Sequence, residues 1–306
     1  MSGSEAVEAL RKIPGYEHVS PQGVERLGGM TNRVYRIVLD GADGDMVLRI
    51  PGEGTEEYID RDVEAHNTRA AYRAGVSPEV FFCNPASGIM LTRHVAGTTM
   101  TPDLFRSTPG GPTRAALAFK QLHQSGETFE FRFELFAMIE DYLKVLARLG
   151  AELPEGYHDV VSEAASVREA IEAHPARLAP CHCDPLCENF LDTGSRMWIV
   201  DWEYSGMNDP LWDLGDLSVE AGFDAAQDEE MMTAYMGTTV SEAAFGRMVI
   251  YKAMCDLLWT LWGLIQHANN NPAEDFWAYS ITRFERCKQL MAEPAFAAHL
   301  AAVRRG

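Results

Sequence analysis

The densest chemistry in the chain lies in His182-Cys183-Asp184-Pro185-Leu186-Cys187-Glu188-Asn189, which a hairpin-like stretch separates from Ile199-Val200-Asp201-Trp202-Glu203. Carboxylates and a carboxamide sit there on loop edges around a hairpin. Phosphoryl transfer needs such a set: one carboxylate to accept a hydroxyl proton and orient the nucleophile, an Asn and a second Asp to hold magnesium against the β- and γ-phosphates. Asp and Asn also favour plain turns. Asp201, however, ends the apolar run Trp198-Ile199-Val200, and a carboxylate closing a buried strand needs a partner. Zinc is a rival, because Cys181, His182, Cys183 and Cys187 cluster, but their C-x-C-x3-C spacing lacks the usual paired form.

The elements that must position these residues change character along the chain. Residues 23–50 read as strand, turn and strand, with Asp43-Gly44 as a hairpin signal between apolar runs. A helical pattern runs from about Glu56 to Ala74, and Gly75 and Pro78 stop it. Two short strands follow, around Glu79–Cys83 and Gly88–Val95. Helical periodicity then dominates over 112–126, 133–149, 157–174, 228–237, 241–268 and 273–292. The exception is the hairpin within 181–206. The pattern predicts a small β-rich part over residues 1–94 and a larger helical part over 95–306, with ligands in the cleft between them.

Whole-chain properties narrow the partners. With 26 Lys+Arg against 45 Asp+Glu in 306 residues, the net charge is −19. Such a surface disfavours nucleic acid and anionic membranes and weakly favours a cationic ligand. No uninterrupted apolar run is long enough to predict a transmembrane helix. The N-terminal stretch lacks a signal-peptide pattern, so six reduced cysteines and a cytoplasmic location are expected.

Taken together, these motifs resemble the choline/ethanolamine kinases, within the aminoglycoside-phosphotransferase-like group that shares the protein kinase fold. Protein kinases place Asn at the same distance after a His-x-Asp, then a metal-binding Asp beyond a hairpin. The resemblance runs over about residues 23–290. It implies an α+β bilobal, protein-kinase-like fold and an ATP- and Mg2+-dependent enzyme. Asp184 would be the catalytic base, Asn189 and Asp201 the magnesium ligands, and Asp213 a brace for the catalytic loop. His182 would organise that loop. Gly28-Gly29-Met30-Thr31-Asn32 looks like the family's phosphate turn, where Gly28, Gly29, Thr31 and Asn32 would approach phosphate oxygens. Arg49 stands where protein kinases carry Lys, and Glu64 on the following helix would pair with it.

For the acceptor, Trp259 and Trp262 fall on one helix face. A tryptophan stripe of this kind is ordinarily core packing. With Ile265-Gln266, Trp277, Tyr279 and Arg283-Phe284, it is similar to the choline-binding helix pair of the family. The resemblance implies a cage of Trp259, Trp262, Tyr279 and Glu220 around an ammonium group, with choline favoured as the substrate. Ethanolamine, thiamine or another amino alcohol is the alternative within kinases. A silent, ligand-sensing kinase-like protein is the alternative outside them.

Overall fold

The computed structural model describes residues 2–28, 32–39, 44–52 and 59–306. The first part is built on a sheet. Helix α1 (Ser2–Leu10) precedes β1 (Gly23–Gly28), β2 (Arg33–Val38) and β3 (Met46–Ile50), then α2 (Arg61–Arg73), β4 (Val80–Asn84) and β5 (Ile89–Arg93). The strands form one antiparallel sheet in the order β1-β2-β3-β5-β4. Along β3 the period of two decides which side chain does what. Met46, Leu48 and Ile50 enter a core with Ala6, Leu10, Tyr35 and Ile37, so Arg49 must face the other way, toward α2. Asp60 caps α2 by accepting from the backbone N–H groups of Asp62 and Val63, and so starts the helix that presents Glu64 to Arg49. Gly44 has φ +69°, in keeping with the expected turn there, whereas Asp43, Gly29 and Thr31 lie outside the described residues.

The second part is mostly helical. After β6 (Thr98–Thr99) come α3 (Pro102–Ser107), α4 (Gly111–His123), α5 (Leu135–Leu149) and α6 (Tyr157–Ala173). Short strands β7 (Ala179–Cys181), β8 (Phe190–Asp192), β9 (Met197–Ile199) and β10 (Gly206–Asn208) frame the segment 182–205, with a 3-10 turn at Cys187–Asn189. Helices α7 (Pro210–Ala221), α8 (Ala225–Met236), α9 (Glu242–Ala268), α10 (Phe276–Ala292) and α11 (Pro294–Arg305) complete it. A β-rich lobe followed by a larger helical lobe is the architecture the sequence predicts.

Periodicity did not reveal α1, α3, α7 or α11, nor β6, β7 and β10. The strands are only two or three residues long, too short for a period. Helix α7 is buried on nearly every side and therefore has no polar face to alternate with. Helix α9 is long and apolar enough to cross a membrane by composition, but 78% of its apolar window is buried inside the protein. It is the central helix of the larger core, packed against α5, α7, α10 and α11.

Candidate functional site

The segment that begins at His182 is held from below by one buried carboxylate. Asp213, near the start of α7, accepts from the backbone N–H of His182 (2.7 Å) and of Cys183 (2.8 Å). It also meets His123 Nε2 at 3.0 Å, and His123 Nδ1 meets the Tyr235 hydroxyl at 2.9 Å. Two charge-assisted bonds to consecutive amides fix the loop in a shape a free chain would avoid, for Cys183 sits at φ +67°. Burial lowers the pKa of His182, and its Nε2 donates to Val200 O at 2.9 Å. The imidazole thereby ties the loop to the strand that ends at Asp201. The loop brace expected of Asp213 and the organising role expected of His182 match this geometry. The zinc alternative does not: of Cys181, His182, Cys183 and Cys187 only Cys181 joins a group of possible ligands among the described residues, with His123 and Asp213, and Asp213 there already bonds His123 and two backbone amides.

Asp184, Asn189 and Asp201 come together around the β8–β9 hairpin. Asn189 Nδ2 donates to Asp184 O (3.2 Å), leaving its Oδ1 outside that bond. Its own carbonyl accepts from Val200 N at 3.0 Å, so Asn189 and Asp201 share one end of the hairpin. Asp201 is held at φ +67°, an uncommon conformation for a residue with a side chain. Burial raises the pKa of Asp184 to about 7, and the charges of Glu220 and Glu203 add to the shift while Arg283 opposes it. Asp201 is pushed well above the usual carboxylate range by the protein packed around it, then by Glu203 and Glu64. Asp201 is nevertheless exposed to solvent, which leaves room for an incoming group.

Across the cleft, Arg49 pairs with both oxygens of Glu64, Nη2–Oε2 being 2.9 Å, as the sequence predicts. Glu203, to which the sequence reading assigned no role, reaches over from the helical lobe. It lies 3.2 Å from Arg49 Nη1, 2.5 Å from Arg61 Nη1 and 2.9 Å from Asn32 Nδ2. Asn32 is thus engaged by Glu203, and its Oδ1 accepts from Gly52 N at 3.4 Å; it is not a free phosphate donor. Gly28 ends β1 at φ +145°, a backbone that favours glycine, with open space where a Cβ would stand. No periodicity marked Glu203, because β9 ends at Ile199 and the chain turns at Asp201; the fold brings the Asp201 and Glu203 carboxylates within 4.8 Å of each other.

Two features of this cluster suit a metal–nucleotide. Carboxylate oxygens of Glu64, Asp201 and Glu203 all lie within 4.8 Å of one another, a hard oxygen set for a divalent cation. The buried Nε of Arg49 has no hydrogen-bond partner, which a phosphate oxygen would supply.

The aromatic residues also assemble. Trp259 and Trp262 have centroids 6.3 Å apart, Trp262 and Tyr279 5.9 Å. Tyr204 joins them, 5.4 Å from Trp259, with its hydroxyl accepting from Trp262 Nε1 at 3.1 Å. Tyr204 was missed because it lies on the loop after Asp201, far in sequence from α9 and α10. Glu220 departs from expectation. Both its oxygens are already taken by Arg283, at 2.6 and 2.9 Å, and that guanidinium stacks 4.5 Å from the Tyr279 centroid. Arg283 and Arg286 also hold the buried Asp256.

The profile of the phosphotransferase enzyme family matches residues 23–244. A solved choline/ethanolamine kinase family protein from Mesorhizobium loti is 61% identical, with both chains covered in full and a TM-score of 0.92. The structure of choline kinase LicA from Streptococcus pneumoniae is 24% identical, covering 95% of this chain and 99% of that one, with a TM-score of 0.77. Protein LicA of Haemophilus influenzae is 28% identical over 271 residues, 86% of this chain and 99% of the relative.

Proposed function

The chain belongs to the phosphotransferase enzyme family and, within it, to the choline/ethanolamine kinases, and we propose that it transfers the ATP γ-phosphate to the hydroxyl of choline. It is an ATP-dependent alcohol kinase. In our reading residues 1–94 form the nucleotide-binding lobe and 95–306 the catalytic and substrate-binding lobe. One arrangement carries the assignment of chemistry: Asn189 Nδ2 donates to Asp184 O and Asn189 O accepts from Val200 N, so Asp184 stands beside Asn189 and Asp201, within electrostatic reach of both Glu203 of the phosphate cluster and Glu220 of the aromatic pocket. A base placed between two such subsites can take a proton from a hydroxyl delivered by one toward a phosphoryl group held by the other.

Arg49, with the backbone around Gly28 and Gly29 and the side chain of Thr31, would bind the phosphates. Asn189, Asp201 and Glu203 would hold magnesium. When bound, the ion supplies positive charge against the β- and γ-phosphates. Asp184 orients the acceptor hydroxyl and accepts its proton. Trp259, Trp262, Tyr279 and Tyr204 enclose the ammonium end, each ring contributing about 0.5–2 kcal/mol. Choline is favoured over ethanolamine because a trimethylammonium group donates no hydrogen bonds. Glu220, with both oxygens on Arg283, is better suited to supplying a field than to accepting N–H bonds.

Purified protein incubated with ATP, magnesium and an equimolar choline–ethanolamine mixture should give phosphocholine as the main product, read by mass spectrometry. Mainly phosphoethanolamine would reassign the acceptor. Magnesium-dependent ADP formation with neither product would exclude both.

A further inference from the structure

We propose that Arg61 is a positioning residue for phosphate recognition: it takes up the charge of Glu203 and of one Glu64 oxygen, so that Arg49 can turn toward an incoming triphosphate. The inference rests on the reading that nucleotide phosphates enter beside Arg49.

Two arginines share two glutamates in this cluster. Arg61 Nη1 is 2.7 Å from Glu64 Oε2 and 2.5 Å from Glu203 Oε1. Arg49 holds the same Glu64 and lies 3.2 Å from the same Glu203 oxygen. Asp201 adds a third carboxylate within 4.8 Å of the other two. Without Arg61, Arg49 would face all three of these acids alone, and its guanidinium would be drawn onto them. With Arg61 in place, each glutamate keeps a cation when Arg49 moves. The two arginines are not placed alike. Arg49 is the one with an unpartnered buried Nε and a carbonyl contact to Gly88 O at 3.0 Å on the strand side. The Arg61 side chain is only 8% exposed and has both acids on one nitrogen, a placement that suits holding rather than reaching.

The arrangement also crosses the cleft. Glu203 belongs to the helical lobe, whereas Arg61 starts α2 in the sheet lobe. The Arg61–Glu203 pair therefore keeps the lobes in register while Arg49 exchanges partners, which a single shared arginine could not do.

The test is nucleotide affinity by calorimetry without divalent metal, so that a metal-binding role of Glu203 does not enter. ATP is compared with AMP, which lacks the phosphates at issue. Arg61→Met should weaken ATP roughly tenfold and leave AMP within about twofold. Arg61→Lys should recover part of the loss, and it carries the same comparison if the Met variant does not fold. The double variant Arg61→Met/Glu203→Gln removes the charge that Arg61 is said to neutralise. It should bring ATP affinity back to within about threefold of wild type. Unchanged ATP affinity in Arg61→Met, equal losses for ATP and AMP, or no recovery on adding Glu203→Gln would each overturn the proposal. Wild-type protein that binds neither nucleotide, with or without magnesium, would overturn the reading of the cleft itself, and this inference with it.

Discussion

At the proposed phosphate end of the cleft, two arginines share two glutamates across the lobes, whereas at the proposed acceptor end Arg283 and Arg286 share Glu220 and Asp256 within a single lobe. The phosphate cluster has more carboxylates than arginines, counting Asp201. Its ion pairs can exchange, because Glu64 and Glu203 each meet both Arg49 and Arg61. The acceptor pocket we propose is walled by rings packed edge to face, and its carboxylate is already held by Arg283. One end is an electrostatic device completed by what binds there; the other is a shape prepared in advance. A triphosphate with its cation brings large, opposed charges that need movable partners. A quaternary ammonium brings one diffuse charge and an apolar surface, which fixed rings satisfy.

The junction between the two ends should show the largest effect. Asp184→Asn is expected to lower kcat by about 10^3-fold or more while ATP affinity stays within a few-fold, measured by coupled assay and calorimetry. Near-normal turnover would remove Asp184 from the chemistry. At the acceptor end, Trp262→Ala should raise choline KM about tenfold, with a smaller change in kcat and none in ATP KM. If ATP KM moves as much, the two ends are not separate.

A gentler test presses on the prepared shape. Gly263 lies where α9 and α10 touch, and a Cβ there would press on Ser280 Oγ and stand 2.6 Å from Tyr279 Cδ1. Gly263→Ala should therefore displace Tyr279, raising choline KM by about threefold and lowering thermal stability by about 1–3 kcal/mol. An unaltered KM would show that the ring wall tolerates movement.

Acidity joins the two ends through Asp184, whose pKa is raised to about 7 by burial and then by Glu220. The base must be ionised, so kcat/KM for choline should climb with pH through about 7. The cationic substrate favours the carboxylate, so the corresponding limb in kcat should lie lower. A flat profile between pH 6 and 8 (roughly one unit either side of that value) would exclude the assignment. The smallest effect concerns folding. A carboxyl whose folded pKa lies above its unfolded value stabilises the protein fully at low pH, and that contribution disappears as pH rises from about 4 through about 7. Asp184→Asn should thus melt about 2–4 °C higher than wild type at pH 8 and no higher at pH 4.

Much of this architecture was legible without coordinates. The period of two in β3 already set Arg49 apart from Leu48, and the apolar run before Asp201 marked a carboxylate at a strand end. Helices with a polar face, such as α2, α4 and α5, gave a clear period. Helix α7 gave none, yet it carries Asp213 and Glu220, because a helix enclosed on all sides has no solvent face to reveal it. The Arg49–Glu64 pair was expected from the resemblance and is found; the third and fourth members, Glu203 and Arg61, were not anticipated.

By itself, then, the sequence determined which residues could do chemistry and in what order of elements they would be presented. Motif spacing and alternation are local properties, fixed by backbone geometry. Only the tertiary structure decided who partners whom: Glu203 with Arg61 and Arg49, Tyr204 with Trp259 and Trp262, Glu220 with Arg283. Those pairs join segments separated by dozens to well over a hundred positions. Their existence depends on how two lobes and three helices pack, and packing is a property of the whole chain.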